Sequence, residues 1–171
     1  GLAKADTYFK KINTELIGIS VDSLNSHLAW LYDIYLKTGL IVNFPIIADQ
    51  NGVIARKYGM ISNDVSSTET VRNIFIIDDK GIIRSIFVYP MNIGRYIPEI
   101  LRTVTALQYA DQNNCMTPAN WAPGNPMIVP PPKTFNALRE RNESINKNRN
   151  GMSWYLSFKN VDNTPKLDKG K

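Results

Sequence analysis

At 171 residues and 43% apolar content the chain can bury one ordinary core, and apolar runs such as Ile82-Ile83 and Ile86-Phe87-Val88 are broken by Arg84 and Ser85, far short of the roughly 20 residues of a membrane helix. A formal charge of +5 raises nucleic acid as a partner, but the basic residues are scattered from Lys10-Lys11 through Arg56-Lys57, Arg139 and Arg141 to Lys171, with no base-reading helix among them, so neither nucleic acid nor membrane is expected as a partner. One cysteine, Cys115, excludes an internal disulfide, one histidine, His27, leaves no zinc constellation, and a reducing cytoplasm is the expected compartment.

Taken in chain order, Gly1 to Asp6 lacks the basic start and apolar run of a signal peptide, and residues 2 to 11 permit a helix. Glu15 to Ser20 is an apolar run of strand length. Asp22 or Ser23 then offers a helix cap, and Leu24, Leu28, Leu31 and Tyr35 fall on one helical face that ends at Gly39. Phe44 to Ala48 reads as a short strand and Asn51 to Tyr58 as a helix stopped by Gly59. Ile61 to Thr70, rich in Ser, Thr, Asp and Asn, reads as a loop. Asn73 to Ile77 and Ile82 to Tyr89 form a hairpin around Asp78-Asp79-Lys80-Gly81, with Gly where a positive φ is wanted. Gly94 to Tyr109 is the last long helix, with Ile97, Ile100, Leu101, Val104 and Leu107 facing inward.

The strand-helix alternation followed by a hairpin predicts an α/β fold over residues 1–110 with a mixed sheet flanked by helices. From Asp111 the composition turns to Asn, Pro and Thr, with Pro130-Pro131-Pro132, which predicts an extended arm over 111–171. Within it, 134 to 147 can form a polar helix anchored by Phe135 and Leu138, and Trp154 to Phe158 is a strand-like apolar patch.

Together Leu16-Ile-Gly-Ile-Ser-Val-Asp-Ser23 with His27-Leu-Ala-Trp30, Asn43-Phe-Pro-Ile-Ile-Ala-Asp49, Val71-Arg72 before Phe75-Ile-Ile-Asp78, Tyr89-Pro90 with Gly94-Arg95, Glu99-Ile-Leu-Arg102, Pro118-Ala-Asn-Trp121 and Val129-Pro-Pro131 resemble a peroxiredoxin of the one-cysteine class with a long C-terminal arm. The match is collinear over roughly residues 1 to 158. It implies a thioredoxin-like fold whose first strands, with the signature Pro-x-x-x-Thr/Ser-x-x-Cys, would lie upstream of Gly1, because that signature is absent here. It further implies a thiol-dependent peroxidase that reduces hydrogen peroxide and organic hydroperoxides through a sulfenic acid. No metal or organic cofactor is implied. An external thiol would be the reductant, and the arm would join a homodimer or a larger homo-oligomer. A noncatalytic binding or assembly module that kept the fold is the alternative, and this chain alone would be inactive.

By the same resemblance Arg72 stabilises the thiolate and the peroxide, since a guanidinium offers fixed charge and a planar fork of donors. The bland reading is a strand-edge arginine in a salt bridge. Arg95 would support it, against a reading as a helix-start residue that gains nothing from the helix dipole. Cys115 carries two readings, a resolving cysteine or a small apolar side chain. Relatives with arm cysteines near the aromatic patch would have them where this chain has Gly151 and Ser157, which favours a one-cysteine mechanism. His27 reads as structural, and Trp30, Tyr32 and Tyr35 as core and rim.

Overall fold

The computed structural model describes residues 1–61 and 72–161, which divide into two units, Gly1–Ile97 and Pro98–Lys171. The first opens with α1 (Leu2–Lys11), whose last turn carries Lys10 and Lys11 where cations complement the helix dipole. Strand β1 (Gly18–Ser20) pairs in parallel with β2 (Ile46–Ala48), and α2 (Leu24–Thr38) makes the crossover that parallel strands require. Both ends of α2 follow from the sequence. Ser23 Oγ accepts the Ser26 N–H at 3.1 Å, and Gly39, at φ 70°, donates its N–H to the Tyr35 carbonyl at 2.8 Å.

Helix α3 (Val53–Lys57) is shorter than its predicted span; the buried Asp49 accepts the Ala55 N–H at 2.7 Å. The predicted loop over Ile61 to Thr70 lies, apart from Ile61, outside the described residues, as does Val71. Strands β3 (Arg72–Ile77) and β4 (Ile83–Tyr89) form the expected antiparallel hairpin. Its turn is built by Asp78, whose carboxylate accepts the N–H groups of Lys80 and Ile82, and by Gly81 at φ 77°.

Rather than one continuous sheet, the first unit holds two separate strand pairs, β1-β2 and β3-β4. Among the described residues no strand joins them, so each pair keeps unpaired edges. The apolar face of α2 is also more open than its periodicity predicts. Leu24, Leu28 and Tyr35 are exposed, and Trp30 and Tyr32, read as core and rim, are more than half exposed. The reason is length: within its unit α2 packs chiefly on β2, and a strand of three residues cannot cover a helix of fifteen.

Helix α4 (Ile97–Asn113) starts three residues later than predicted, with Pro98 in the first turn where its missing N–H costs nothing. Ile100 and Val104 are buried as expected, together with Thr105, Ala106 and Tyr109, while Leu101 and Leu107 are half-buried. Glu99 pairs with Arg102 through two bonds of 2.6 and 2.7 Å, and Arg102 also donates to the Trp121 carbonyl at 3.1 Å.

Beyond α4 the chain is better ordered into elements than an extended arm. Pro130 to Pro132 do lie outside any helix or strand, but β5 (Met127–Ile128), β6 (Gly151–Ser153) and β7 (Leu156–Lys159) form an antiparallel sheet in the order β5-β7-β6. Ala106, Tyr109, Cys115, Trp121 and Met127 make a buried apolar cluster in this unit. The polar helix α5 (Phe135–Asn148) is capped by Thr134, whose hydroxyl accepts the Ala137 N–H at 3.2 Å. Phe135 does not anchor it. At 75% exposure it points away from cover, whereas Leu138, Arg141 and Ile145, one and two turns on, form the half-buried side. The patch Trp154 to Phe158 is not one strand either: Trp154 and Tyr155 are the turn between β6 and β7, their rings meeting edge-on at 5.4 Å.

Candidate active site around Arg72

Arg72 opens β3 and stands opposite Tyr89, the last residue of β4. Both are half-buried. Opposed residues of a ladder share a face, and β4 alternates accordingly, with Ser85, Phe87 and Tyr89 half-buried and Arg84, Ile86 and Val88 exposed. The face therefore reads Ile76 with Ser85, Ile74 with Phe87, and Arg72 with Tyr89 at its end. Phe87 and Tyr89 stack at 6.4 Å between ring centroids.

Arg72 Nη1 donates to the Ile93 carbonyl at 3.3 Å, which ties the segment after Pro90 to the start of β3. Arg95 lies two residues further along that segment. It is exposed by area, yet enough protein surrounds its guanidinium that desolvation holds its pKa below the ordinary value; the charge of Arg72 adds to the depression and Tyr89 opposes it. The two guanidinium groups thus feel one another. Among the described residues no carboxylate pairs with either, in contrast to Arg84 on Asp78 and Arg102 on Glu99. Two cations at the end of a hairpin with no counter-ion among the described residues make a ready site for a small anion or for a group that becomes one.

His27 has a partner that the sequence does not reveal. It is 6% exposed, and its Nε2 lies 2.6 Å from Ser20 Oγ, which in turn is 2.7 Å from Asp22 Oδ2. A hydroxyl has one proton to give, and Asp22 can only accept it, so Nε2 carries a hydrogen and donates to Ser20. His27 Nδ1 is buried and, among the described residues, has no partner. This order of bonds does not suit a nucleophilic serine: the Ser20 proton is held by Asp22, and among the described residues no carboxylate orients the imidazole from behind. The network instead ties the end of β1 to the first turns of α2. The structural reading of His27 and this geometry agree.

Cys115 is 7% exposed, in the cluster with Ala106, Tyr109, Trp121 and Met127. Gly151 and Ser157 are opposed residues of the β6–β7 ladder. Ser157 is fully buried and accepts from Arg141 Nη1 at 2.8 Å. The sequence shows the hairpin but not that its register sets Tyr89 opposite Arg72.

Comparison with known proteins places these features in company. The AhpC/TSA family model matches residues 1–86, and the model of the C-terminal domain of 1-Cys peroxiredoxin matches residues 106–144. Peroxiredoxin 2 of Caldanaerobacter subterraneus subsp. tengcongensis is 50% identical over 155 residues, which cover 91% of this chain and 70% of that protein. The peroxiredoxin of Aquifex aeolicus is 44% identical, with 93% and 75% covered. Among solved structures, the yeast mitochondrial 1-Cys peroxiredoxin superposes with a TM-score of 0.78 at 38% identity, covering 94% of this chain and 76% of that one.

Proposed function

This chain belongs to the peroxiredoxin family of thiol-dependent peroxidases, and on that footing we propose that Arg72 and Arg95 form the cationic wall of its peroxide site. In the family's chemistry a cysteine thiolate gives an electron pair to the hydroperoxide oxygen that bears hydrogen. The O–O bond breaks, the sulfur becomes a sulfenic acid, and the other oxygen leaves as hydroxide or alkoxide and takes up a proton from solvent. The thiolate, the transition state and the departing oxygen carry negative charge that a fixed guanidinium lowers in energy. The observation that supports the assignment is the half-buried Arg72 opposite Tyr89, tied to the Ile93 carbonyl just before Arg95, with no carboxylate paired to either arginine among the described residues.

The thiolate is assigned to a segment upstream of Gly1, since Cys115 is buried in an apolar cluster and is the only cysteine of the 171 residues. Hydrogen peroxide and organic hydroperoxides are the substrates and an external thiol the reductant; the yeast relative is resolved through glutathione/thioredoxin systems, which supports that choice. A reducing cytoplasm suits this cycle. The test is Arg72→Ala in the protein carrying its peroxidatic cysteine: turnover of hydrogen peroxide should fall by at least about a hundredfold, the usual cost of removing a transition-state donor. Unchanged turnover would remove Arg72 from the site.

A homodimer formed through the arm is the second part of the reading. The β6–β7 hairpin exposes Met152 to 84% and Tyr155 to 57%, beside a partly covered Trp154, a composition typical of an interface core. A protein lacking residues 111–171 should then run as a monomer in sedimentation, and a fully dimeric truncation would refute the assignment.

A further inference from the structure

Resting on the arginine site above, we propose that the hydroxyl of Tyr89 is its third donor, a neutral O–H that hydrogen-bonds the peroxide oxygen on which charge develops.

The placement comes from the backbone. Tyr89 is the residue opposed to Arg72 in the ladder, so their side chains leave the sheet on one face, side by side. Its ring is held on the other flank by the stack on Phe87, which fixes where the hydroxyl can reach. The same register is created by a bulge: the pairing shifts by one residue between Ile76 and Ile77, and without that shift Val88 rather than Tyr89 would face Arg72. A bulge that re-aims one side chain toward two arginines is a device of the kind found beside active sites.

The chemistry fits as well. Among the described residues no hydrogen bond uses the Tyr89 hydroxyl, so its proton is available to a ligand. Arg72 and Tyr89 are opposed in the ladder, and Arg95 follows two residues after Ile93, whose carbonyl accepts from Arg72, so all three belong to the same end of the hairpin. Two cations and one hydroxyl divide the work sensibly: the guanidiniums supply charge throughout the reaction, and the hydroxyl adds a donor that costs no further repulsion between like charges.

The experiment compares Tyr89→Phe and Arg72→Ala in the intact peroxidase, measuring the second-order rate of sulfenic acid formation with hydrogen peroxide together with the melting temperature. Tyr89→Phe keeps the ring and its stack, so the expected result is a rate about tenfold lower, the order of one hydrogen bond to a group gaining charge, with an unchanged melting temperature. A wild-type rate in Tyr89→Phe alongside a slow Arg72→Ala overturns the donor role alone. Wild-type rates in both overturn the arginine site and this proposal with it. A slow Tyr89→Phe whose melting temperature also falls overturns the donor role and assigns the hydroxyl to packing.

Discussion

Gly151 stands so close to Ser157 across the β6–β7 ladder that a Cβ on Gly151 would lie 2.7 Å from the Ser157 Cα and 2.8 Å from the Leu156 carbonyl oxygen. Both obstacles are backbone, so no rotamer change relieves them. Gly151→Ala should therefore cost about 1–3 kcal/mol, the range of overpacking in a tight site, read as a lowered midpoint in urea. An unchanged midpoint would mean the hairpin can shift its strands at no cost.

The link between Ser20 and His27 predicts a second loss. Ser20→Ala removes the one partner that His27 Nε2 has among the described residues and leaves both ring nitrogens of a buried side chain unsatisfied, given that Nδ1 already is. The expected destabilisation is about 1–3 kcal/mol. Asp22→Ala should cost less, because it frees the Ser20 hydroxyl to rotate without stripping the imidazole. Equal effects of the two variants would show that Asp22 carries the network.

How legible was this in the sequence? The β1-α2-β2 unit was readable because its punctuation is local: Ser23 caps and Gly39 stops α2 whatever lies around them. The hairpin was readable for the same reason, through Asp78 and Gly81. What lay hidden depends on pairs distant in the chain. The face that Tyr89 occupies hinges on a one-residue bulge at Ile76, which no turn residue announces, and a slip of one residue moves a side chain to the opposite face. Periodicity placed Leu24, Leu28 and Tyr35 on one side of α2 but could not say how much partner that side would meet. In the second unit the prolines masked a small core, since Cys115, Trp121 and Met127 meet in a cluster flanked by the bridge of Met116 to Ile128 and the pairing of β5 with β7.

The Asp78 turn should respond to acid. Hydrogen bonds from the Ile82 and Lys80 N–H groups, then the Arg84 guanidinium, hold its carboxyl below the ordinary aspartate value against a smaller opposing desolvation. A depressed folded-state pKa means that this stabilisation is present above the unfolded value near 3.9 and is lost as pH falls through the folded one. Asp78→Ala should be less stable than the parent at neutral pH, and the gap should close in acid below that value. A gap that persists at low pH would assign the effect to the turn's packing rather than to its charge.

Cys115 offers the sharpest contrast between two chemistries. A resolving cysteine must reach solvent and a sulfenic acid, whereas the Cys115 thiol is enclosed by Ala106, Tyr109, Trp121 and Met127. Alkylation of the native protein should therefore be slow and become fast in denaturant. Cys115→Ser should keep its peroxidase rate with an external thiol and lose about 1 kcal/mol or more of stability, because a hydroxyl replaces a soft apolar atom in that cluster. The opposite outcome is equally readable: a disulfide that forms on adding peroxide and vanishes in Cys115→Ser would make Cys115 the resolving thiol, and would require the second unit to open around Trp121 during turnover.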